Sequence, residues 1–304
     1  MSLEVSSGVT VQEFSEQYIH KVIHGEELAD PAKLLFRDPN AFRAGELHKH
    51  YGKWCKIMGD NPSPEQATIL RWIRDGVSIF EFFQSFSGNF KGRHYQSDRP
   101  PLEYFRNSPS CKPFADFVKK TLLERLQTGA ISLKGRISEV ELPHLVLPLT
   151  VEPSKPRLCH DARFLNLWMM DVPFKLDSIT NLQRYVAQNT YQTILDDKSG
   201  YDHLFLTEQS RVFFGIQWGG WIFLYNTLPF GWKISPSIYH STGLMASNFF
   251  RSIGIPCSLY IDDRHNGQLQ VSLDQGPYRS LETVEERNLA AAKSAIFLVA
   301  YYLH

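Results

Sequence analysis

Apolar residues recur at a spacing of three to four in several segments of the chain, which is typical of amphipathic helices. Residues 63–76 open with a capping box formed by Ser63 and Gln66. Residues 114–129 and 235–254 show the same spacing, and each segment ends at a glycine. The third stripe is predicted to comprise Ile238, Thr242, Met245 and Phe249. A further apolar helix is predicted from about Leu281 to the end of the chain.

Short apolar runs separated by turn residues predict β-strands. Residues 144–160 predict a hairpin around the turn EPSK, and residues 212–228 predict one around two consecutive glycines. The segments QTILDD (192–197) and CSLYI (257–261) predict single strands, the first of them buried up to its carboxylates. Residues 84–112 are rich in Gly, Ser, Pro and Asn, which predicts a long connection. Strands and helices do not alternate regularly, so the pattern favours an α+β fold.

Two of the predicted strands end in paired carboxylates. Asp196 and Asp197 close one strand, and Asp262 and Asp263 follow the other. If the strands are neighbours in one sheet, their oxygens converge, and such oxygens are the ligands that Mg²⁺ prefers. Two metal ions about 3.5–4 Å apart can activate an attacking hydroxyl and stabilise the leaving oxygen in phosphoryl transfer. Either pair alone would favour solvated turn aspartates, whereas the presence of both favours a metal site.

Basic residues and a glycine fit the same chemistry. Lys155, Arg157 and Arg163 lie on or near the hairpin 144–160, where they could bind a triphosphate or simply form surface ion pairs. Gly231 stands before the predicted helix 235–254, where glycine allows a nucleotide to approach the backbone closely or serves an ordinary turn.

The balance of charge excludes a uniformly basic nucleic-acid coat protein. The chain has 32 basic and 32 acidic side chains, for a net charge of zero. Residues 106–136 nevertheless hold seven basic side chains against two acidic ones, which is typical of a basic groove or of a solvated face.

Cysteine usage and the lack of a targeting signal predict an intracellular protein, cytoplasmic or nuclear and not secreted. The four cysteines form no C-x-x-C pair, so zinc-site spacing is absent and a reducing compartment fits best. No charged-then-apolar leader opens the sequence. The apolar run 295–303 is too short to span a bilayer, so no membrane partner is expected.

Four segments, in this order along the chain, resemble the motifs of reverse transcriptases. They are KPRLCHDARFLN (155–166), similar to the fingers motif, then ILDDKSGY (194–201), LPFGWKISPS (228–237) and YIDD (260–263), similar to palm motifs A, B and C. The segments DDKSGYDH and GWKISPSIYH are most similar to the DIRS-like (tyrosine-recombinase) retroelement branch.

The resemblance implies a right-hand polymerase of α+β class with fingers and palm. Residues 1–110 would form a helical N-terminal extension and connection, residues 111–190 the fingers-like region, and residues 191–304 a palm that is incomplete at its C-terminus. The family's primer-gripping segments and thumb are not recognisable after Gln268. The thumb is therefore expected to be missing.

The resemblance also implies roles for particular residues. The catalytic metal ligands would be Asp196, Asp262 and Asp263, which would hold two Mg²⁺ ions, with Mn²⁺ as an alternative. Asp197 matches a position without a catalytic side chain, and Arg264 would lie beside the metals or face the primer backbone. Nucleotide binding would involve Lys155 and Arg157 at the triphosphate, Phe230 and Gly231 near the nucleotide, and Tyr201, whose ring would exclude a ribose 2′-hydroxyl.

The function implied is that of an RNA-directed DNA polymerase that extends a primer on an RNA or DNA template with dNTPs. Two alternatives stay open: an inactive retroelement-derived remnant that at most binds nucleic acid, and an RNA-directed RNA polymerase, which Tyr201 disfavours. Because the primer-gripping segments are not found, the chain alone is expected to bind metal and nucleotide but to extend a primer only near background. The sequence predicts no oligomeric state.

Overall fold

The computed structural model describes residues 42–178, 180, 186, 188–270 and 283–303. Most of the predicted N-terminal extension and the predicted start of the last helix at Leu281 lie outside these residues. The described residues form two compact units, each built from three stretches of chain. Among the described residues, unit 1 draws on 42–46, 75–171 and 201–235, and unit 2 on those within 47–74, 172–200 and 236–303. The predicted palm region 191–304 therefore contributes residues to both units.

Helices and strands are both present in quantity, which confirms the α+β class. The helices of the described residues are α1 (Glu46–Lys49), α2 (Tyr51–Met58), α3 (Pro64–Asp75), α4 (Ala115–Thr128), α5 (Arg163–Asn166), α6 (Glu208–Arg211), α7 (Ser235–Ser252) and α8 (Val284–Leu303). The strands are β1 (Phe86–Phe90), β2 (Arg93–Ser97), β3 (Glu103–Tyr104), β4 (Ile131–Arg136), β5 (Leu145–Val146), β6 (Leu149–Glu152), β7 (Arg157–His160), β8 (Gln192–Asp196), β9 (Gly215–Trp218), β10 (Trp221–Tyr225), β11 (Cys257–Tyr260) and β12 (Asp263–Gly267). None of the helices in the described ranges is both long and apolar enough to cross a membrane.

Local capping signals place the helix ends as predicted. At α3, the backbone N–H of Ser63 donates to Gln66 Oε1 at 2.8 Å, and the N–H of Gln66 donates to Ser63 Oγ at 3.2 Å. At α4, Gly129 adopts a left-handed φ of 81° and its N–H donates to the carbonyl of Leu126. These ends are encoded within a few residues, so the sequence pattern is sufficient to find them.

Unit 1 is organised around a five-stranded sheet of order β3-β5-β9-β10-β4. Its centre is the predicted hairpin β9–β10, whose turn residues Gly219 and Gly220 both have positive φ, as this tight turn requires. Ile222 and Phe223 of β10 are fully buried. The second predicted hairpin, β6–β7, forms a separate two-stranded sheet.

The segment 84–112, predicted to be a long connection, instead contains a regular hairpin. β1 and β2 pair in antiparallel register around the turn Lys91–Gly92, with positive φ at both residues. Tyr95 is buried against Phe164 and Trp168 in edge-to-face contacts. The prediction was wrong because most residues of these two strands are exposed or half-buried, so the segment carries no continuous apolar run.

Unit 2 contains a three-stranded antiparallel sheet of order β11-β12-β8. Strand β8 was predicted to be buried up to its carboxylates, but it alternates between exposed and half-buried residues, and Ile194 is 76% exposed. The sheet therefore has one open face, because side chains of a strand alternate between its two faces. Leu259 of the other face lies close to Gly243 of α7.

Helix α7 buries a face different from the predicted one. Ile238 and Thr242 are buried as expected, whereas Met245 and Phe249 are only half-buried. Tyr239, Ser247 and Phe250 are buried instead. The difference arises because Arg264 of β12 faces this helix and donates to Ser247. The buried face of the helix is therefore not simply its most apolar stripe.

A buried histidine in β7 makes the stability of the fold depend on pH. Burial lowers the pKa of His160 from 6.5 to about 3, and its ring stacks on that of Tyr225 at 4.9 Å. As the pH falls below 6.5, the unfolded chain takes up a proton that the folded chain excludes. Stability is therefore complete above that pH and is lost as the pH falls toward 3.

We expect His160→Phe, which keeps a stacked ring but cannot titrate, to remove about 2 kcal/mol of the loss in unfolding free energy between pH 7 and pH 5. Urea unfolding at the two pH values measures this difference. The control is His94→Phe, because His94 is exposed. An equal loss in wild type and His160→Phe would contradict the prediction.

Candidate active site

The three aspartates predicted to bind metal lie at one end of the unit 2 sheet, and two of them occupy directly opposite positions. Asp263, the first residue of β12, lies directly opposite Asp196, the last residue of β8. Asp262 occupies the two-residue turn between β11 and β12 together with Ile261, whose φ is 58°. Directly opposite residues of an antiparallel pair have Cβ atoms about 4.5–5.5 Å apart. The register thus brings Asp196 and Asp263 side by side, with Asp262 next to them.

These carboxylates suit a hard cation that is completed by water and substrate. All three are exposed. Within the part of the chain that the structure describes, no three His, Cys, Asp or Glu side chains come together as a group that could hold a metal ion, and Asp196 and Asp263 are the only facing pair among these aspartates. Mg²⁺ usually binds proteins through one or two carboxylates and takes its remaining ligands from water and substrate phosphates. Two facing carboxylates with a third beside them fit that requirement.

Asp197 is bound by a tyrosine of α7. Tyr239 donates its hydroxyl hydrogen to Asp197 Oδ2 at 2.5 Å. Burial, followed by the charge of Asp197, raises the pKa of the Tyr239 hydroxyl well above its usual range, so it remains a donor at neutral pH. Gly200 leaves room for the tyrosine ring, because a Cβ there would be 2.8 Å from it.

Arg264 was predicted to lie beside the metals or to face a primer, and that prediction is wrong. Its side chain is 2% exposed and lies on the buried face of the sheet. The guanidinium donates to Ser247 Oγ, and to the carbonyl of Gly243 at 3.4 Å, and it lies 5.8 Å from the centre of the Phe250 ring. Strand alternation explains the placement, since Arg264 follows the outward-facing Asp263.

The candidate nucleotide-binding residues belong to unit 1. Tyr201 lies in the 3₁₀ segment Gly200–His203, and its ring centre is 4.7 Å from that of Phe230, which is 51% exposed. Gly231, next to Phe230, has a φ of 99°, and a Cβ there would overlap the carbonyl oxygen of His160. The close backbone approach at Gly231 is therefore made by the protein's own β7.

Asn166 is a structural residue of this site that sequence reasoning missed. Its Nδ2 donates to the carbonyl of Gly231 at 2.8 Å, and its Oδ1 accepts from the N–H of Lys233 at 3.1 Å. The side chain thus holds both sides of the turn that carries Phe230 and Gly231. The signal was present, because Asn166 closes the segment KPRLCHDARFLN, but its partners lie about 65 residues away.

The three predicted triphosphate-binding cations differ in their surroundings. Arg163 donates to both carboxylate oxygens of Asp161, at 2.8 and 2.7 Å, and these hydrogen bonds lower the pKa of Asp161. Lys155 and Arg157 are exposed at the β6–β7 hairpin, and neither forms an ion pair with another described residue. Of the three cations, Lys155 and Arg157 are therefore the ones that remain available to bind an anionic ligand.

Comparison with known proteins agrees with this fold. The family model described as reverse transcriptase (RNA-dependent DNA polymerase) matches residues 135–265. A curated relative, the retrovirus-related Pol polyprotein from transposon gypsy of Drosophila melanogaster, is 28% identical over 171 residues, covering 55% of this chain and 16% of the polyprotein. The chain thus spans a small part of that relative.

A solved structure shares the fold. The foamy viral protease-reverse transcriptase dRH in complex with double-stranded DNA aligns with a TM-score of 0.50 and 14% identity, covering 88% of this chain and 43% of that one. The foamy viral protease-reverse transcriptase with double-stranded DNA aligns at 0.46 and 15%, covering 96% and 52%. The described residues therefore share the fold of a reverse transcriptase, and residues 135–265 match the reverse transcriptase family model. The gypsy polyprotein, which is similar over 171 residues, comes from a transposon. The finer assignment to the DIRS-like branch stays a prediction.

We expect Gly231→Ala to lower the unfolding free energy more than Gly220→Ala. Each substitution forces alanine into a left-handed conformation, which costs roughly 1–2 kcal/mol. Only at Gly231 does the new Cβ also meet backbone, since nothing lies within 4 Å of a Cβ at Gly220. Urea unfolding of both variants measures the difference, and equal losses would show that the contact with His160 relaxes without cost.

Proposed function

We propose that this domain is an RNA-directed DNA polymerase that joins the 3′-hydroxyl of a primer to the α-phosphate of a dNTP and releases pyrophosphate. The observation that carries the proposal is the register of β8 and β12, which sets Asp196 opposite Asp263 beside Asp262. Bare carboxylates so arranged repel one another, so the arrangement suits a bound cation.

In this proposal Asp196, Asp262 and Asp263 hold two Mg²⁺ ions, for which Mn²⁺ could substitute. Such ions activate the attacking hydroxyl and neutralise charge on the leaving phosphate. Side chains of the protein position the nucleotide. Lys155 and Arg157 bind the triphosphate through charge-assisted hydrogen bonds, and Tyr201 packs against the sugar.

The proposed partners are a primer annealed to an RNA or DNA template, together with dNTPs, inside the cell. Support comes from the family match over 135–265 and from the gypsy polyprotein, which is named as retrovirus-related. The foamy viral enzyme is described in complex with double-stranded DNA. A duplex is therefore the ligand to test first.

We expect the purified chain to bind a dNTP in a Mg²⁺-dependent manner, and Asp263→Asn to weaken that binding by at least about 10-fold, because a charged metal ligand is lost. Fluorescence titration with a labelled dNTP, with and without Mg²⁺, measures the affinity. The control is Asp60→Asn, which alters an exposed aspartate of unit 2 that lies in neither β8 nor β12.

Binding of nucleic acid without any Mg²⁺-dependent dNTP binding would contradict the polymerase and favour the inactive remnant. Equal affinity in Asp263→Asn and wild type would contradict the metal site.

We expect Tyr201→Ala to reduce the preference for dATP over ATP by about 10-fold, because removing the ring opens space for the 2′-hydroxyl. Tyr201→Phe retains the ring and should retain the preference. Competition binding of the two nucleotides measures the ratio, and Tyr104→Ala, at an exposed tyrosine of unit 1, is the control. An unchanged ratio in Tyr201→Ala would mean that the ring only packs on Phe230. A preference for ATP in the wild-type chain would favour an RNA polymerase.

A further inference from the structure

The residue that follows each of two candidate metal ligands is tied to the same helix. Asp197 follows Asp196 and accepts a hydrogen bond from Tyr239. Arg264 follows Asp263 and donates to Ser247 Oγ and to the carbonyl of Gly243. Tyr239, Gly243 and Ser247 are spaced by four residues in α7, so they form one stripe along the helix. We call these three residues the polar stripe of α7.

The end of the sheet that carries the ligands needs such support. Asp196 and Asp263 form the last pair of the β8–β12 ladder, and like charges directly opposite each other destabilise a sheet. Strand β8 is also an edge strand of this sheet, paired with β12 alone. The candidate ligands therefore lie where the ladder ends at an edge strand, and repulsion between them acts to open it.

The ties to the polar stripe are well placed to resist that opening. Tyr239 is 5% exposed and Ser247 and Arg264 are buried, so their hydrogen bonds are shielded from water. No carboxylate among the described residues pairs with the Arg264 guanidinium, which is bound by neutral oxygens. The guanidinium therefore serves as a hydrogen-bonded tie between β12 and α7.

We propose that Tyr239 and Arg264 are positioning residues, which hold the ends of β8 and β12 through the polar stripe of α7 and so keep Asp196 and Asp263 at metal-binding separation. This inference rests on the proposed function, since it assumes that the aspartates bind a cation. Neither residue is proposed to touch metal or nucleotide.

The test is Mn²⁺ binding to the purified chain, followed by electron paramagnetic resonance. We expect Tyr239→Phe to weaken Mn²⁺ binding by about 10-fold, the lower end of the effect seen when partners that orient metal ligands are removed. The matched control is Tyr95→Phe, because Tyr95 is also buried and also donates to a carboxylate, that of Glu103, within unit 1. It should bind Mn²⁺ as wild type does.

A second variant tests the other tie. Ser247→Ala removes the hydroxyl acceptor of Arg264 without adding bulk, and it should also weaken Mn²⁺ binding. Ser294→Ala is its control, because Ser247 and Ser294 both donate to the carbonyl four residues earlier in their helices. Unfolding free energies measured without metal separate positioning from general destabilisation, since a purely structural role would lower stability and leave the affinity of the folded chain unchanged.

Each outcome decides between the two proposals. Weaker Mn²⁺ binding in Tyr239→Phe and Ser247→Ala, with both controls at the wild-type affinity, supports the inference. Wild-type affinity in Tyr239→Phe and Ser247→Ala overturns the inference and leaves the proposed function intact. Absence of Mn²⁺ binding by the wild-type chain overturns the proposed function and the inference with it.

Discussion

The pairing of Asp196 with Asp263 at the end of the β8–β12 ladder is the constraint on which unit 2 depends. It places like charges side by side on the open face of the sheet, where water, a ligand and the groups on the opposite face can compensate them. Helix α7 supplies polar groups to that opposite face, and α8 contacts β8 and β12. The polar interior of this unit is thus a consequence of what its outer face carries.

Unit 1 shows how a motif that looks like a ligand-binding signature can also hold the fold together. Asn166 ties the first motif to the turn of LPFGWKISPS through two hydrogen bonds, and Gly231 in that turn packs against the backbone of His160. The two segments are distant in sequence but are in direct contact in the structure. Residues of a family motif therefore need not touch a substrate, because some of them hold the turn that carries the other motif residues.

Local features of the fold could be predicted from the sequence, and features that depend on distant partners could not. The capping box at Ser63 and the turn at Gly219 involve neighbours in sequence, and both were found. The hairpin β1–β2 was missed because its burial depends on Phe164 and Trp168, more than 60 residues away. The convergence of Asp196 with Asp263 followed from strand ends, whereas the inward direction of Arg264 required knowing which face of β12 is covered.

The turn between β11 and β12 carries a cost that bears on how this protein can evolve. Ile261 adopts a φ of 58°, a region that branched side chains avoid and that two-residue hairpin turns normally fill with glycine or asparagine. Such strain amounts to about 1–3 kcal/mol, and proteins retain it mainly where geometry matters more than stability. Selection for thermal stability alone would replace this isoleucine, and a glycine there would give the turn that carries Asp262 more conformational freedom. Stability and the geometry of the candidate metal site therefore compete at a single residue of this chain.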